Sequence, residues 1–159
     1  MTFTIREATK NDMSRVLELI IELAVFEKEP NAVEVTVEDL QKGAFENPKQ
    51  FTCFVAEHEG VIEGIALVYN RFSTWKGSIL HLEDLIVSQN KRGTGLGTAL
   101  LDEVVKYGHS IGVKRISWEV IDWNEPAMNF YEKKGADVKR DWDVVHLNED
   151  AIKNYISNI

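Results

Sequence analysis

The sequence predicts a mixed α/β fold in a single domain. Two observations carry this. Segments that alternate apolar and polar residues, read as strands, are interleaved with segments of helical apolar spacing. A chain of 159 residues, 44% of them hydrophobic, is long enough to bury about 70% of its unfolded-chain surface, and no linker, repeat or low-complexity tract divides it.

The elements follow in order. "TFTIREAT" (2–9) alternates and reads as a first strand. "TKNDMSRVLELIIELAVFEKE" (9–29) places Met13, Val16, Leu17, Ile20 and Ala24 at helical spacing, with Thr9 and Asp12, or Asn11 alone, as its cap. "TVEDLQKGAF" (36–45) repeats the capping pattern with Thr36 and Asp39 and predicts a short second helix. "QFTCFVAEHEGVIEGIALVYNRF" (50–72) is two apolar runs around Glu59-Gly60, a strand–turn–strand hairpin. "SILHLEDLIVS" (78–88) is a further strand. A glycine loop then leads into the helix "GTALLDEVVKYGHSIG" (97–112), with Gly108 and Gly112 marking its end. "KRISWEVI" (114–121) reads as a strand, and "EPAMNFYEKKG" (125–135) as a helix with Pro126 in its first turn and Gly135 past its end. "DWDVVHLN" (141–148) is expected to be a last strand and "EDAIKNYISNI" (149–159) a last helix.

A net charge of −8 argues against nucleic acid or an anionic membrane as the main partner. Six acids between residues 22 and 39 (Glu22, Glu27, Glu29, Glu34, Glu38 and Asp39) form either a solvated helical face or a funnel for a cationic substrate. The lone cysteine, Cys53, sits in an apolar run and reads as a buried, inert thiol rather than a nucleophile. The first residues show neither a basic stretch nor an apolar one, and no run approaches the roughly 20 apolar residues a spanning helix needs. A cytoplasmic protein is expected. His58, His81, His109 and His146 have no metal-ligand spacing; they are expected at the surface or packed, and no metal is expected.

The glycine loop carries the functional signal. Gly93, Gly95 and Gly97 fall at the mouth of a helix, where converging backbone N–H groups and the helix dipole suit a diphosphate. Arg92 at the entrance adds a charge-assisted contact. A P-loop is excluded because no lysine follows the glycines. The dinucleotide fingerprint fits only in part, with Thr98 in the third glycine's place and Glu119 as the distant acid. The pattern R-x-x-G-x-G/A is met in full by Arg92-Gly93-Thr94-Gly95-Leu96-Gly97. A purely structural turn is the remaining reading.

With this loop and "WNEPAMNFYEKKGA" (123–136), about 30 residues further on, the sequence resembles the Gcn5-related N-acetyltransferase superfamily. "IREAT", "LIIELAVFEKE" and "LHLEDLIV" extend the resemblance over nearly the whole chain, to the spermidine/spermine and thialysine acetyltransferase branch. The resemblance implies a central, mostly antiparallel, twisted sheet with helices on both faces. It also implies acetyl-coenzyme A as co-substrate, its pyrophosphate on residues 92–98. A strand bulge near Leu85, Ile86 and Val87 would offer backbone donors, and Asn124, Glu125, Pro126 and Ala127 would line the coenzyme arm.

Acetyl transfer to an amine requires a neutral nucleophile. An amine of pKa near 10.4 is neutral in about one molecule in 2,500 at pH 7, a handicap of about 4–5 kcal/mol. The resemblance assigns Glu83 as the base, and a water-mediated route suits a carboxylate of ordinary pKa. The plain alternative is that Glu83 and Asp84 alternate across the strand and one pairs with an arginine. Tyr131 matches the superfamily's general acid, since a phenol near pKa 10 can protonate a leaving thiolate. Its plain alternative is a core aromatic.

The branch acetylates polyamines or lysine-like amines. Phe26 and Glu27 match its substrate-contacting pair, and Trp75 falls at the exit of the third strand. Two departures weaken a diamine groove: Ser73 stands where the polyamine enzymes carry an acid, and "ADVKRDW" is short and bears Lys139 and Arg140. A homodimer is expected from the resemblance. A catalytically silent acetyl-CoA-binding module and a nicotinamide oxidoreductase are the rival classes.

Overall fold

A computed structural model describes residues 2–159, with Met1 outside the described residues. The chain forms two compact units, one ending at Glu119 and one spanning Val120–Ile159.

The first unit opens with β1 (Thr4–Glu7), α1 (Met13–Phe26) and α2 (Val37–Phe45). Both expected capping boxes are present. Thr36 and Asp39 cap α2, while Thr9 and Asp12 close a three-residue 3-10 turn (Lys10–Asp12) that runs into α1. Asp12 also receives two hydrogen bonds from Arg6, at 2.7 and 3.2 Å, and these hold its carboxyl down at about 2.

β2 (Thr52–His58) and β3 (Val61–Ser73) form the expected hairpin. Glu59 and Gly60 both have positive φ, 51° and 78°, as a two-residue turn matched to strand twist requires. β4 (Gly77–Val87) follows, then α3 (Leu96–Ser110) and β5 (Ile116–Ser117). The sheet order is β1-β2-β3-β4-β5, antiparallel except for the parallel β4–β5 pair.

Strand alternation places a helix on each face of this sheet. Cys53, Val55, Ile65 and Ile86 pack with Met13, Val16 and Leu19 of α1. On the other face Phe54 meets Tyr107 of α3 edge-on, ring centroids 5.5 Å apart. Gly64 lets α3 approach, because a Cβ there would lie 2.5 Å from Leu96 and 2.9 Å from the Ile86 carbonyl oxygen.

The ladders slip twice. Between β2 and β3, Ala56 faces Gly64 but Glu57 faces Ile62, so Glu63 is an extra residue. Between β3 and β4, Leu67 faces Asp84 but Val68 faces Leu82, so Glu83 is extra. Each slip is a bulge, and each bulged residue is a glutamate.

The second unit contains α4 (Glu125–Lys133) and α5 (Glu149–Ser157). Two sequence expectations need correction. The strand expected over 114–121 shrinks to Ile116–Ser117. The strand expected over 141–148 is absent, and Val144, Val145 and Leu147 are largely exposed. Alternation records which side chains favour burial, but a strand also needs a neighbouring ladder, and no described residue supplies one there.

Candidate active site

The bulge at Glu83 decides which side chains share a face. In a regular strand Glu83 and Asp84 would point to opposite sides. Here Asp84 sits opposite Leu67 on the α1 side of the sheet, and Glu83 reaches Tyr69, which lies on that same side. The expected alternation therefore fails, and two consecutive carboxylates look the same way. The bulge lies two residues before the expected position, while Leu85, Ile86 and Val87 pair regularly with Ala66, Ile65 and Gly64.

Around Glu83 three contacts converge. The Tyr69 hydroxyl donates to Glu83 Oε2 at 3.1 Å. His81 Nε2 lies 3.6 Å from the same oxygen. The Tyr69 and His81 rings stand 5.2 Å apart. His81 is 6% exposed, and its Nδ1 is 3.0 Å from Ser117 Oγ on β5. Burial pushes the His81 pKa down from 6.5, so its resting form at neutral pH is uncharged, and burial also pushes the Tyr69 phenol up.

Asp84 is largely withdrawn from water. That burial, with the charges of Glu83 and Glu27 adding to it, raises its pKa to about 6. Burial also raises Glu27, at the end of α1. A face holding several partly desolvated carboxylates favours an incoming cation, which relieves their repulsion. Phe26, next along α1, lies under the guanidinium of Arg92.

The glycine loop follows β4 directly. Gly93 and Gly95 have φ of +76° and +89°, and a Cβ on either would meet nothing within 4 Å. They serve a left-handed turn with an open surface, not close packing. α3 begins at Leu96 with Gly95 as its N-cap, and no side chain caps it. The amides of Leu96, Gly97 and Thr98 precede the first helical bond, from Ala99 N to Gly95 O, and so have no partner within the helix. Such an end, with Arg92 and Lys91 at its mouth, fits a diphosphate. Two carboxylates pin the entrance from behind: Ser88 Oγ donates to Glu63 at 2.5 Å, and Gln89 N donates to Glu22 at 2.9 Å. On its outer edge β4 pairs with β5 only at Leu80 and His81, so no described strand covers Leu85–Val87 there.

In the second unit, Asn124 accepts a hydrogen bond from Ala127 N at 3.3 Å and caps α4, with Pro126 in the first turn. Glu125 faces Arg140 at 3.7 Å. Tyr131 is half-buried, four residues after Ala127 and so on the same helix face.

Within the first unit the structure thus brings together Glu83 with Tyr69, Glu27 with Asp84, and Phe26 with Arg92. It does not bring in Trp75. That residue is 81% exposed in the β3–β4 turn, where Ser73 Oγ accepts from the amides of Trp75 and Lys76. Six residue steps along β4, about 20 Å at ~3.3 Å per step, separate Gly77 at that turn from Glu83. Sequence reasoning missed Tyr69 and His81 as neighbours of Glu83. The one available signal was the i, i+2 spacing of His81 and Glu83.

Among the described residues no cluster of three or more histidines, cysteines or carboxylates could hold a metal ion, and no helix is long and apolar enough to cross a membrane.

Comparison with known proteins identifies the family and the fold. Residues 15–136 match the model of the acetyltransferase (GNAT) family. A thialysine N-epsilon-acetyltransferase of Bos taurus is 34% identical over 140 residues, spanning 83% of this chain and 82% of that protein. A spermidine/spermine N(1)-acetyltransferase-like protein 1 of Homo sapiens is 29% identical over 160 residues, spanning 94% of this chain and 23% of that protein. The fold is shared with an aminoglycoside acetyltransferase from an uncultured soil metagenomic sample, solved with sisomicin, at a TM-score of 0.73 and 22% identity over 92% of this chain and 94% of the other.

Proposed function

This chain belongs to the acetyltransferase (GNAT) family, on the branch of the thialysine and spermidine/spermine enzymes, and from that premise we propose that it moves the acetyl group of acetyl-CoA to a primary amine of a small lysine-like or polyamine molecule. One N-acetyltransferase domain spans residues 1–159 in this reading, supported by a family match that continues from the first compact unit into the second, over residues 15–136. The observation that carries the reading is the continuity of β4 with the glycine loop. One stretch of chain bears the paired carboxylates Glu83 and Asp84 and then, within some dozen residues, the helix-start amides of 96–98.

Bound acetyl-CoA would supply an activated acyl carbon and a thiolate leaving group. Residues 92–98 would hold its diphosphate, the outer edge of Leu85–Val87 its arm, and Asn124–Ala127 would add to that lining. Glu27, Glu83 and Asp84 draw the cationic amine, and Phe26 covers its apolar stem. Glu83, through one water, removes the proton that keeps the amine unreactive. Backbone donors aimed at a developing oxyanion contribute about 3–4 kcal/mol each. Tyr131 returns a proton to the departing thiolate.

The proposal includes a homodimer, to which the exposed Trp142, Val145 and Leu147 offer apolar surface.

Thiol release from acetyl-CoA, assayed against lysine, thialysine, spermidine and short diamines, tests the reading. Tyr131→Phe is expected to keep acetyl-CoA affinity and lower kcat at least tenfold; unchanged turnover would remove Tyr131 from the scheme. Tight acetyl-CoA binding with no thiol release on any amine would make the chain a binding module instead.

A further inference from the structure

Resting on the acetyl-transfer reading above, we propose that His81 takes the amine's proton on from Glu83, so that the proton acceptor of this site is a carboxylate–imidazole pair. The geometry is specific. His81 and Glu83 are two residues apart on β4, and the bulge leaves both on the face that carries Tyr69. Glu83 Oε2 is held by the Tyr69 hydroxyl at 3.1 Å and faces His81 Nε2 at 3.6 Å. The second ring nitrogen, Nδ1, is bound to Ser117 Oγ at 3.0 Å. Each nitrogen of a buried ring therefore has its own partner. A cationic ring would be satisfied on both sides, by a hydroxyl oxygen at Nδ1–H and a carboxylate at Nε2–H. A histidine serving packing alone needs only the Ser117 bond.

The step balances without another reactant. The ammonium N–H bond breaks as the bridging water takes that proton and gives one of its own to Glu83, forming the Glu83 O–H bond and freeing the nitrogen lone pair for the acyl carbon. The carboxyl then turns about its Cγ–Cδ bond, its O–H bond breaks, and an Nε2–H bond forms on His81. The positive charge that was on the amine now rests on the imidazolium beside a restored carboxylate. The proton leaves to solvent before the next turnover.

Ordinary base strengths favour the second transfer. Of the two side-chain types, imidazole is ordinarily the stronger base. The groups that face His81 are Glu83 on β4, Tyr69 and Arg71 on β3, and Glu119 after β5. Burial and Arg71 lower its pKa, while Glu83 and Glu119 raise it. The ring is thus neutral and able to accept at pH 7.

The test uses the full chain. The His81 ring is titrated by NMR, its signal assigned by its disappearance in His81→Asn. In Glu83→Gln the ring pKa is expected to fall by at least half a unit, because the raising carboxylate is gone. His81→Asn, which can keep a polar contact to Ser117 but has nothing at the Nε2 position, should retain acetyl-CoA affinity by calorimetry and amine KM within twofold. Its kcat should fall about tenfold, with the acid limb of the pH–rate profile displaced to lower pH. An unmoved ring titration in Glu83→Gln, or an unchanged kcat and acid limb in His81→Asn, overturns the proposal while leaving acetyl transfer intact. Wild-type protein that releases no thiol on any amine overturns the acetyl-transfer reading and this role with it.

Discussion

The guanidinium of Arg92 lies over the ring of Phe26, its Cζ 4.8 Å from the centroid, while its Nε donates to the Val87 carbonyl at 3.4 Å. The first residue of the diphosphate pattern is thus pre-set by a residue of the proposed amine site. A cation–π contact at such a site is worth about 0.5–1 kcal/mol. Phe26→Leu should therefore weaken acetyl-CoA binding about two- to fivefold by calorimetry, besides raising amine KM. Unaltered coenzyme affinity would mean that the Val87 carbonyl alone holds Arg92.

Asp84 ionises near pH 6 in the folded chain and near 3.8 in its ordinary state. The native state holds the proton more tightly, so the stability this group contributes is fully present below about pH 4 and lost as pH rises through about 6. A difference of roughly two pH units corresponds to at most about 3 kcal/mol. Asp84→Asn should raise Tm by several degrees at pH 8 and leave it nearly unchanged at pH 4. A melting difference that does not grow between those pH values would show that Asp84 carries no such strain.

The hairpin turn offers a separate check on backbone conformation. Glu59 holds φ of 51° although only Gly, Asn and Asp take that region cheaply. Glu59→Asn should stabilise the fold by about 0.5–1 kcal/mol in urea unfolding. Gly60→Ala should cost about 1–2 kcal/mol through conformation alone, since its Cβ would meet nothing within 4 Å.

Cys53 is 2% exposed, and burial, with Asp12, Asp84 and Glu7 adding their charges, pushes its thiol up to about 12. The native protein should resist a thiol reagent at pH 8 and release one reactive thiol on unfolding. Rapid labelling of the native state would contradict this burial.

Much of the fold was legible because its signals are local. Thr36 with Asp39, Glu59-Gly60 and the glycine loop each declare a turn or cap within four or five residues. The resemblance implied a bulge in β4, but its position at Glu83 and the second bulge at Glu63 were not legible, since an extra residue exists only relative to the strand it pairs with. The same limit hid Tyr69 from Glu83, fourteen positions away and neighbours only through the β3–β4 register. For the last expected strand, "DWDVVHLN" carries apolar residues in a strand-like order, but nothing local says whether a partner strand exists.

The extra residue in β4 has a consequence for how this chain can change. Every side chain after Glu83 owes its facing to that one additional position. Removing a residue between Ile79 and Glu83 would swap inside for outside from the deletion point to the bulge, or else consume the bulge and part the two acids. Substitutions can accumulate along this strand, whereas changes of its length cannot, so the segment should behave as fixed in length even where it tolerates new side chains.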